Sequence, residues 1–208
     1  MEIKFCGTRV PRDVSIAKAV GATEVGVIVR PFDEAHQHET WRISHTVDTK
    51  QAQHVIQAAD ENNLTTVLVP RSKDFQTIAS MTETLRPSRL QIGEAEDLAL
   101  TEALHGLPER PSIAQVIHVG AETRPEAADD FLDYVDMIHL DSKGKQPGGN
   151  GITHDWEISR GIADRARAAG KAVLLAGGLN SANVAEAIAT VQPDGVDVET
   201  GIKSVFGA

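Results

Sequence analysis

Short apolar segments recur along the chain, each rich in β-branched residues and separated from the next by a stretch with helical spacing. The candidate strands are Ile3 to Cys6, Val25 to Val29, Thr65 to Val69, Leu90 to Ile92, Ala114 to Val119, Met137 to Leu140, Ala172 to Ala176 and Val196 to Val198. Several are apolar at consecutive positions, which indicates parallel strands covered on both faces. The pattern predicts a parallel sheet with helices packed against it.

The segments between the strands carry helix-start signals. Pro11 opens a helix that runs towards Val20, Asp48 opens another, and Asn180 with Ser181 precedes a third. Alternating strands and helices predict an α/β fold. Eight such units favour a closed (β/α)8 TIM barrel, with an open doubly wound sheet as the alternative.

The end of the chain departs from this repeat. Only residues 199–208 follow the eighth strand, too few for a loop and a full helix, so the eighth helix is predicted to be truncated or missing. The apolar residues there, Ile202, Val205 and Phe206, should then be exposed and form a homodimer interface, unless the tail docks across the gap with Phe206 buried. No linker or low-complexity tract divides the chain, so residues 1–208 are expected to form one domain.

Composition narrows the function. Asp and Glu number 30 against 20 Lys and Arg, the net charge is −10, and no basic run stands out, so a nucleic-acid partner is not expected. No apolar run approaches the ~20 residues that span a membrane, and no signal peptide is recognisable, so a cytoplasmic protein without a membrane partner is expected. The single cysteine, Cys6, excludes an intramolecular disulfide.

In a βα barrel, functional groups lie at the carboxyl ends of the strands. Cys6 ends the first strand and shares a face with Lys4, opposite Ile3 and Phe5, so its side chain is predicted to point into the barrel mouth. An isolated cysteine is more commonly a small buried apolar residue. Asp141 follows an apolar strand, where a carboxylate also serves as a helix cap or loop ligand.

Glycine-rich loops follow three strands. The loop over residues 142–151 lacks the spacing of a P-loop or of a dinucleotide-binding fold, so nucleotide binding is rejected. Gly177 and Gly178 follow the seventh strand, and Thr200 and Gly201 follow the eighth. Loops at these two positions commonly form a phosphate site, because backbone amides there face the anion.

These segments together resemble the phosphoribosylanthranilate isomerase family of tryptophan biosynthesis, from residue 2 to about residue 203. The matching motifs are Lys4-Phe5-Cys6-Gly7 with Pro11 and Asp13, Asp141 with Gly148-Gly149-Asn150-Gly151 and Asp155-Trp156, Leu175-Ala176-Gly177-Gly178-Leu179 with Asn183-Val184, and Gly195-Val196-Asp197-Val198 with Gly201. The resemblance implies a closed barrel and an Amadori rearrangement without a cofactor or metal. It also implies a phosphosugar substrate, N-(5-phosphoribosyl)anthranilate.

The resemblance assigns roles to single residues. Asp141 would be the general acid that protonates the ribose ring oxygen, with a raised pKa, and Cys6 the general base that removes the C2 proton, acting as a thiolate near Lys4. Substrate binding would involve Arg42, Gln91, Gly177, Gly178, Asp197, Thr200 and Gly201. Among these, the glycines and Thr200 would hold the phosphate, and Asp197 would order the site or touch the sugar. Arg42 would face the anthranilate carboxylate, unless it is a surface arginine.

Some residues depart from the family pattern. The family has a histidine after strand four, where this chain reads Gln91-Ile92-Gly93, and Glu199 replaces a small hydroxyl residue beside the phosphate turn. Two alternatives therefore stay open: an isomerase of another phosphorylated aminosugar, and a non-catalytic phospholigand-binding protein. A further cluster, His36, His38 and His45, is interpreted as solvated surface and not as a metal site.

Overall fold

The computed structural model of the chain describes residues 1–31, 46–94, 96–144 and 153–202. The strands are β1 (Glu2–Cys6), β2 (Glu24–Val29), β3 (Thr46–Val47), β4 (Thr65–Pro70), β5 (Arg89–Ile92), β6 (Ser112–Val119), β7 (Met137–Ser142), β8 (Ala172–Leu175) and β9 (Gly195–Val198). The α-helices are α1 (Pro11–Ala19), α2 (Thr49–Glu61), α3 (Phe75–Leu85), α4 (Leu98–His105), α5 (Trp156–Ala168) and α6 (Val184–Val191).

The sheet is a closed ring of parallel strands. β1 pairs with β2 on one side and with β9 on the other, and the ring continues through β4, β5, β6, β7 and β8. The short strand β3 is outside this ring and extends the sheet at the end of β2. Closure confirms the predicted (β/α)8 TIM barrel and excludes the open sheet. The eight predicted strands all form, with ends shifted by at most a few residues.

Alternation along each strand separates two cores. Ile138 and Leu140 of β7 point outwards and pack in the large apolar layer between the strands and the helices. Met137 of the same strand points inwards and packs with Ala114 of β6 and Leu174 of β8. Because side chains alternate along a strand, His139 and Asp141 also face the barrel interior.

The helix starts follow their sequence signals. Pro11 is the first residue of α1, and the Asp48 side chain accepts a hydrogen bond from the Gln51 amide at 2.8 Å at the start of α2. Asn180 and Ser181 precede the next helix, as expected, but Asn180 is not its N-cap, because α6 begins at Val184 after Asn183. Asn180 instead forms a turn, in which its side chain accepts a hydrogen bond from the Ala182 amide at 2.8 Å.

The connection between β6 and β7 also departs from strict alternation. A 3₁₀ helix over Pro125–Phe131 replaces the α-helix expected there, and Ala128 and Phe131 bury its inner side. None of the described helices has the length and apolar character needed to cross a membrane.

The end of the barrel is better covered than predicted. After β9 the described chain contains only a 3₁₀ turn, Thr200–Ile202, so no eighth α-helix follows within it. The expectation that Ile202 is exposed was wrong: Ile202 is 9% exposed and Val196 of β9 is 4% exposed, because both pack into the outer apolar layer. Val205 and Phe206 lie outside the described residues, so the homodimer and the docked tail both stay predictions.

Candidate active site

Cys6 is the last residue of β1 and lies inside the mouth of the barrel. Its side chain packs with Ile28, Val67 and Val69, which face the interior from β2 and β4. Gly26 of β2 makes room for it, because a Cβ at that position would lie 2.8 Å from the Cys6 sulfur. The inward orientation predicted for Cys6 is thus the one observed.

The loop after β1 is held against β2. The amides of Gly7 and Thr8 both donate to the Gly26 carbonyl at 3.0 Å, and the Thr8 hydroxyl donates to the same oxygen at 2.9 Å. At the start of α1, the buried Asp13 carboxylate accepts a hydrogen bond from the Arg9 amide at 2.8 Å. These bonds fix the backbone from which the Cys6 side chain projects.

A buried polar layer lies below Cys6, at the level of Lys4, which is two residues earlier on the same face of β1. The Lys4 ammonium donates to Asp197 Oδ2 at 2.7 Å and to Gln91 Oε1 at 2.8 Å. Burial alone would lower the pKa of Lys4, but Asp197 and then Cys6 raise it well above its ordinary value, so Lys4 stays charged. Asp197 and Gln91, both predicted to bind substrate, are thus engaged with Lys4 beneath the mouth. This geometry fits the predicted ordering role of Asp197.

The charge state of Cys6 differs from the expected thiolate. Burial raises the pKa of Cys6 to about 12, and this outweighs the lowering effect of Lys4. Lys4 is too weak a partner because its charge is already matched by Asp197, and the carboxylates of Asp197 and Glu199 raise the pKa of Cys6 further. In the ligand-free protein Cys6 is therefore a neutral thiol at pH 7.

Asp141 lies on β7 at the same end of the barrel. Burial raises the pKa of this carboxyl group, and a hydrogen bond from the Ser142 amide, 2.8 Å from Asp141 Oδ1, opposes part of the increase. The direction agrees with that expected of a general acid. Strands β8 and β9 separate β7 from β1 in the ring, so Asp141 and Cys6 approach the barrel mouth from different sides.

The loops after β8 and β9 contact each other, as predicted for a phosphate site. A Cβ on Gly201 would lie 2.5 Å from the Leu179 carbonyl oxygen, so only glycine permits this approach. Gly177 and Gly178 have φ values of +88° and +65°, and their amides donate no hydrogen bond to another described residue. Backbone amides in such glycine turns provide the donors that bind phosphate.

A hydrogen-bonded chain supports the first of these loops. Ser142 Oγ lies 2.8 Å from His154 Nδ1, and His154 Nε2 lies 2.6 Å from Ser159 Oγ on α5. Burial lowers the pKa of His154 to about 4, so this histidine is a neutral link at pH 7. A Cβ on Gly177 would lie 2.2 Å from Ser142 Oγ, which fixes glycine at that position.

Two histidines of the site were missed in the sequence. His139 is buried below Asp141, its Nε2 lies 3.4 Å from Asp197 Oδ2, and burial and then Lys4 hold its pKa well below the ordinary value. His118, the last residue but one of β6, is in register with Asp141 and contacts Glu96. Extending the alternation backwards from Asp141 would have found His139. The position of His118 depends on strand register, which the sequence does not show.

Several predicted residues lie outside the described part of the chain. They are Arg42, the cluster His36, His38 and His45, and the glycines Gly148, Gly149 and Gly151 of the loop after β7. Among the described residues, no group of three or more His, Cys, Asp or Glu side chains is arranged to bind a metal ion.

Comparison with known proteins identifies the family of this chain. The family model described as N-(5'phosphoribosyl)anthranilate (PRA) isomerase matches residues 3–208. N-(5'-phosphoribosyl)anthranilate isomerase of Methanocella arvoryzae is 30% identical over 202 residues, covering 97% of this chain and 89% of the relative. The protein of the same name from Beijerinckia indica is 32% identical over 212 residues, covering 99% and 86%.

Solved structures show the same fold. Phosphoribosyl anthranilate isomerase of Thermotoga maritima superposes with a TM-score of 0.77 at 23% identity, covering 98% of this chain and 90% of that structure. The enzyme of Thermococcus kodakaraensis gives a TM-score of 0.71 at 27% identity, covering 97% and 89%. With the family model spanning almost the whole chain and with relatives at 30% identity or more, the chain belongs to the N-(5'-phosphoribosyl)anthranilate isomerase family, a family of isomerase enzymes.

Proposed function

We propose that this chain converts N-(5'-phosphoribosyl)anthranilate into its 1-deoxyribulose 5-phosphate isomer, with Asp141 as general acid and Cys6 as general base. The observation that carries the proposal is the placement of these two groups at one end of the barrel, beside the paired glycine loops. A structure carrying the family's name, in complex with reduced 1-(o-carboxyphenylamino)-1-deoxyribulose 5-phosphate, superposes with a TM-score of 0.73 at 21% identity. That likeness supports the fold, and the substrate is part of the proposal.

The first step is opening of the ribose ring. Asp141 in its acid form donates its proton to the ring oxygen, the bond between that oxygen and C1 breaks, and the nitrogen lone pair forms a C1=N iminium. Burial favours the protonated carboxyl group before this step. The phosphate, held by the amides around Gly177, Gly178, Thr200 and Gly201, anchors the opened chain.

The second step is removal of the C2 proton. As the iminium forms, the Cys6 thiol releases its own proton to solvent, and the resulting thiolate takes the C2 proton. The C2–H electron pair forms the C1=C2 bond of the enolamine while the iminium nitrogen becomes neutral. The enol then gives the C2 ketone as a proton leaves its oxygen and another is added at C1. Because the Cys6 thiol is neutral in the ligand-free protein, positive charge on the substrate is needed to stabilise its thiolate.

The test is loss of substrate fluorescence with the purified protein, compared with Cys6→Ala and Asp141→Asn. Each variant removes a proton-transfer group, and such groups contribute ~10²- to 10⁴-fold. We expect both variants to lose activity to that extent while folding and phosphate affinity stay close to those of the wild type. If either variant kept near-wild-type turnover, its assigned role would be wrong.

A wild-type protein that bound phosphate but consumed no phosphoribosylanthranilate would refute the proposed substrate. It would favour one of the two alternatives left open by the sequence, an isomerase of another aminosugar phosphate or a phospholigand-binding protein.

A further inference from the structure

His118 lies beside Asp141 on the neighbouring strand of the barrel. The two residues are register partners in the parallel pairing of β6 with β7. Ile117 and Val119 pack in the outer apolar layer, so His118 between them faces the interior, as Asp141 does. Side chains on one face of paired strands are close neighbours, and the charge of His118 lowers the pKa of Asp141.

Glu96 fixes the orientation of this histidine. Glu96 Oε1 accepts a hydrogen bond from the His118 amide at 2.9 Å and lies 3.2 Å from His118 Nδ1. With Nδ1–H directed at the carboxylate, Nε2 is the ring nitrogen left for other exchange. The His118 side chain is 21% exposed and that of Glu96 is 39% exposed, so the histidine ring can take up a proton from solvent beside the half-buried Asp141.

The proposed reaction leaves Asp141 in need of a proton. After one turnover Asp141 is an ionised, half-buried carboxylate, whereas Cys6, carrying the proton taken from C2, is again a neutral thiol. β6 and β1 lie on opposite sides of the eight-stranded ring, with β7 next to β6. The proton that Cys6 releases when its thiolate forms could reach Asp141 directly only across the mouth, where the substrate is bound.

We propose that His118, held by Glu96, returns a proton from solvent to Asp141 after each turnover. This inference rests on the function proposed above. In the step, a buffer acid protonates His118 Nε2, and the imidazolium then transfers that proton to the Asp141 carboxylate. Cys6 has already released one proton to solvent before taking the C2 proton, so the cycle takes up one proton and releases one.

The test uses the variant His118→Gln and compares its first turnover with later ones. The variant keeps the hydrogen bond from the backbone amide of residue 118 to Glu96 but cannot transfer a proton. With enzyme and substrate in near-stoichiometric amounts, the first turnover is expected at the wild-type rate, because burial favours the protonated form of Asp141 before mixing. The steady-state kcat should fall by about tenfold or more at unchanged KM. Added imidazole should restore the lost rate in this variant and leave the wild type unchanged.

Glu96→Gln is a second variant, with a smaller fall in kcat expected because it loosens the ring without removing it. His105→Gln is the matched control, because His105 Nδ1 contacts the Tyr134 carbonyl at 2.9 Å in the outer layer, away from the mouth. The kcat of this variant should equal that of the wild type, with or without imidazole.

Two results would overturn the relay. A His118→Gln protein with wild-type kcat would show that Asp141 is reloaded without His118. A fall in kcat that affects the first turnover equally and does not respond to imidazole would mean that His118 acts only on structure or binding. Failure of the wild type to convert any substrate would instead refute the proposed function, so the two failures are distinguishable.

Discussion

Replacing Lys4 by Met tests the buried polar layer beneath Cys6. Lys4 is 0% exposed, and its ammonium is the cation paired with Asp197 at 2.7 Å inside the barrel. Met has nearly the same length and fits beside Gly26, so the change removes the charge with little change in volume. Asp197, itself 7% exposed, then has no cation to balance it.

The expected cost follows from that imbalance. Breaking a buried ion pair by removing one partner destabilises a protein by about 3–5 kcal/mol, whereas removing both charges is often neutral. Lys4→Met should therefore lower the free energy of unfolding by about 3 kcal/mol or more in urea titrations at pH 7. The double variant Lys4→Met/Asp197→Asn should recover more than half of this loss.

The pH dependence has a definite sign. A buried, unbalanced Asp197 has a folded-state pKa above its unfolded value, so its destabilising effect is full at pH 7 and disappears as pH falls and the carboxyl group is protonated. His139, whose pKa is held down by burial and by Lys4, provides a second proton acceptor 3.4 Å away. The stability deficit of Lys4→Met should thus shrink between pH 7 and pH 5.

The control is Lys143→Met. Lys143 pairs with Glu122 at the surface, where its side chain is 57% exposed, and an exposed pair contributes less than about 1 kcal/mol. If Lys4→Met cost no more than Lys143→Met, or if its deficit were the same at pH 5 and pH 7, the charge of Lys4 would not be balancing Asp197 and the reasoning would fail.

Two further predictions concern the thiol and the phosphate loop. Because the pKa of Cys6 is raised to about 12, its alkylation by iodoacetamide in the native, ligand-free protein should still increase with pH above pH 10; a plateau near pH 9 would contradict this. Gly177→Ala should lower the melting temperature and weaken inorganic phosphate binding, because its Cβ would lie 2.2 Å from Ser142 Oγ. Gly170→Ala is the control, because Gly170 also has a positive φ, +73°, but nothing lies within 4 Å of its added Cβ, so this change measures the backbone strain alone. If both substitutions lowered the melting temperature equally, the predicted clash with Ser142 would be refuted.

The fold was predictable because each strand is an uninterrupted apolar segment, and the order of strand and helix leaves few arrangements. Closure of the ring depends on the pairing of β1 with both β2 and β9, which no local pattern encodes. The turn at Asn180 could not be distinguished from a helix cap in the sequence, because Asn and Ser favour both, and only the contact with Ala182 shows that it is a turn. Burial of Val196 and Ile202 at the end of the barrel likewise depends on packing in the outer apolar layer, which no local pattern encodes.

The inward direction of Cys6 followed from a period of two, which is fixed by the geometry of one strand. The charge state of Cys6 could not follow from it, because it depends on residues far away in sequence. Lys4 was expected to favour the thiolate, yet Asp197, 193 residues further along the chain, already neutralises Lys4. His118 was missed for the same reason, since its neighbour Asp141 lies on the next strand.

The electrostatics of the mouth constrain the order of the two proton transfers. Each unit by which the pKa of a thiol exceeds the pH disfavours the thiolate tenfold. In the ligand-free site, the carboxylates of Asp197 and Glu199 also oppose the negative charge of the thiolate. The substrate gains a positive charge only when its ring oxygen has been protonated and the iminium has formed. An iminium facing Cys6 balances the thiolate, and Lys4 alone does not. Acid catalysis by Asp141 must therefore precede base catalysis by Cys6 in the proposed reaction, and a variant that blocks ring opening should also leave the Cys6 thiol protonated when the substrate is bound.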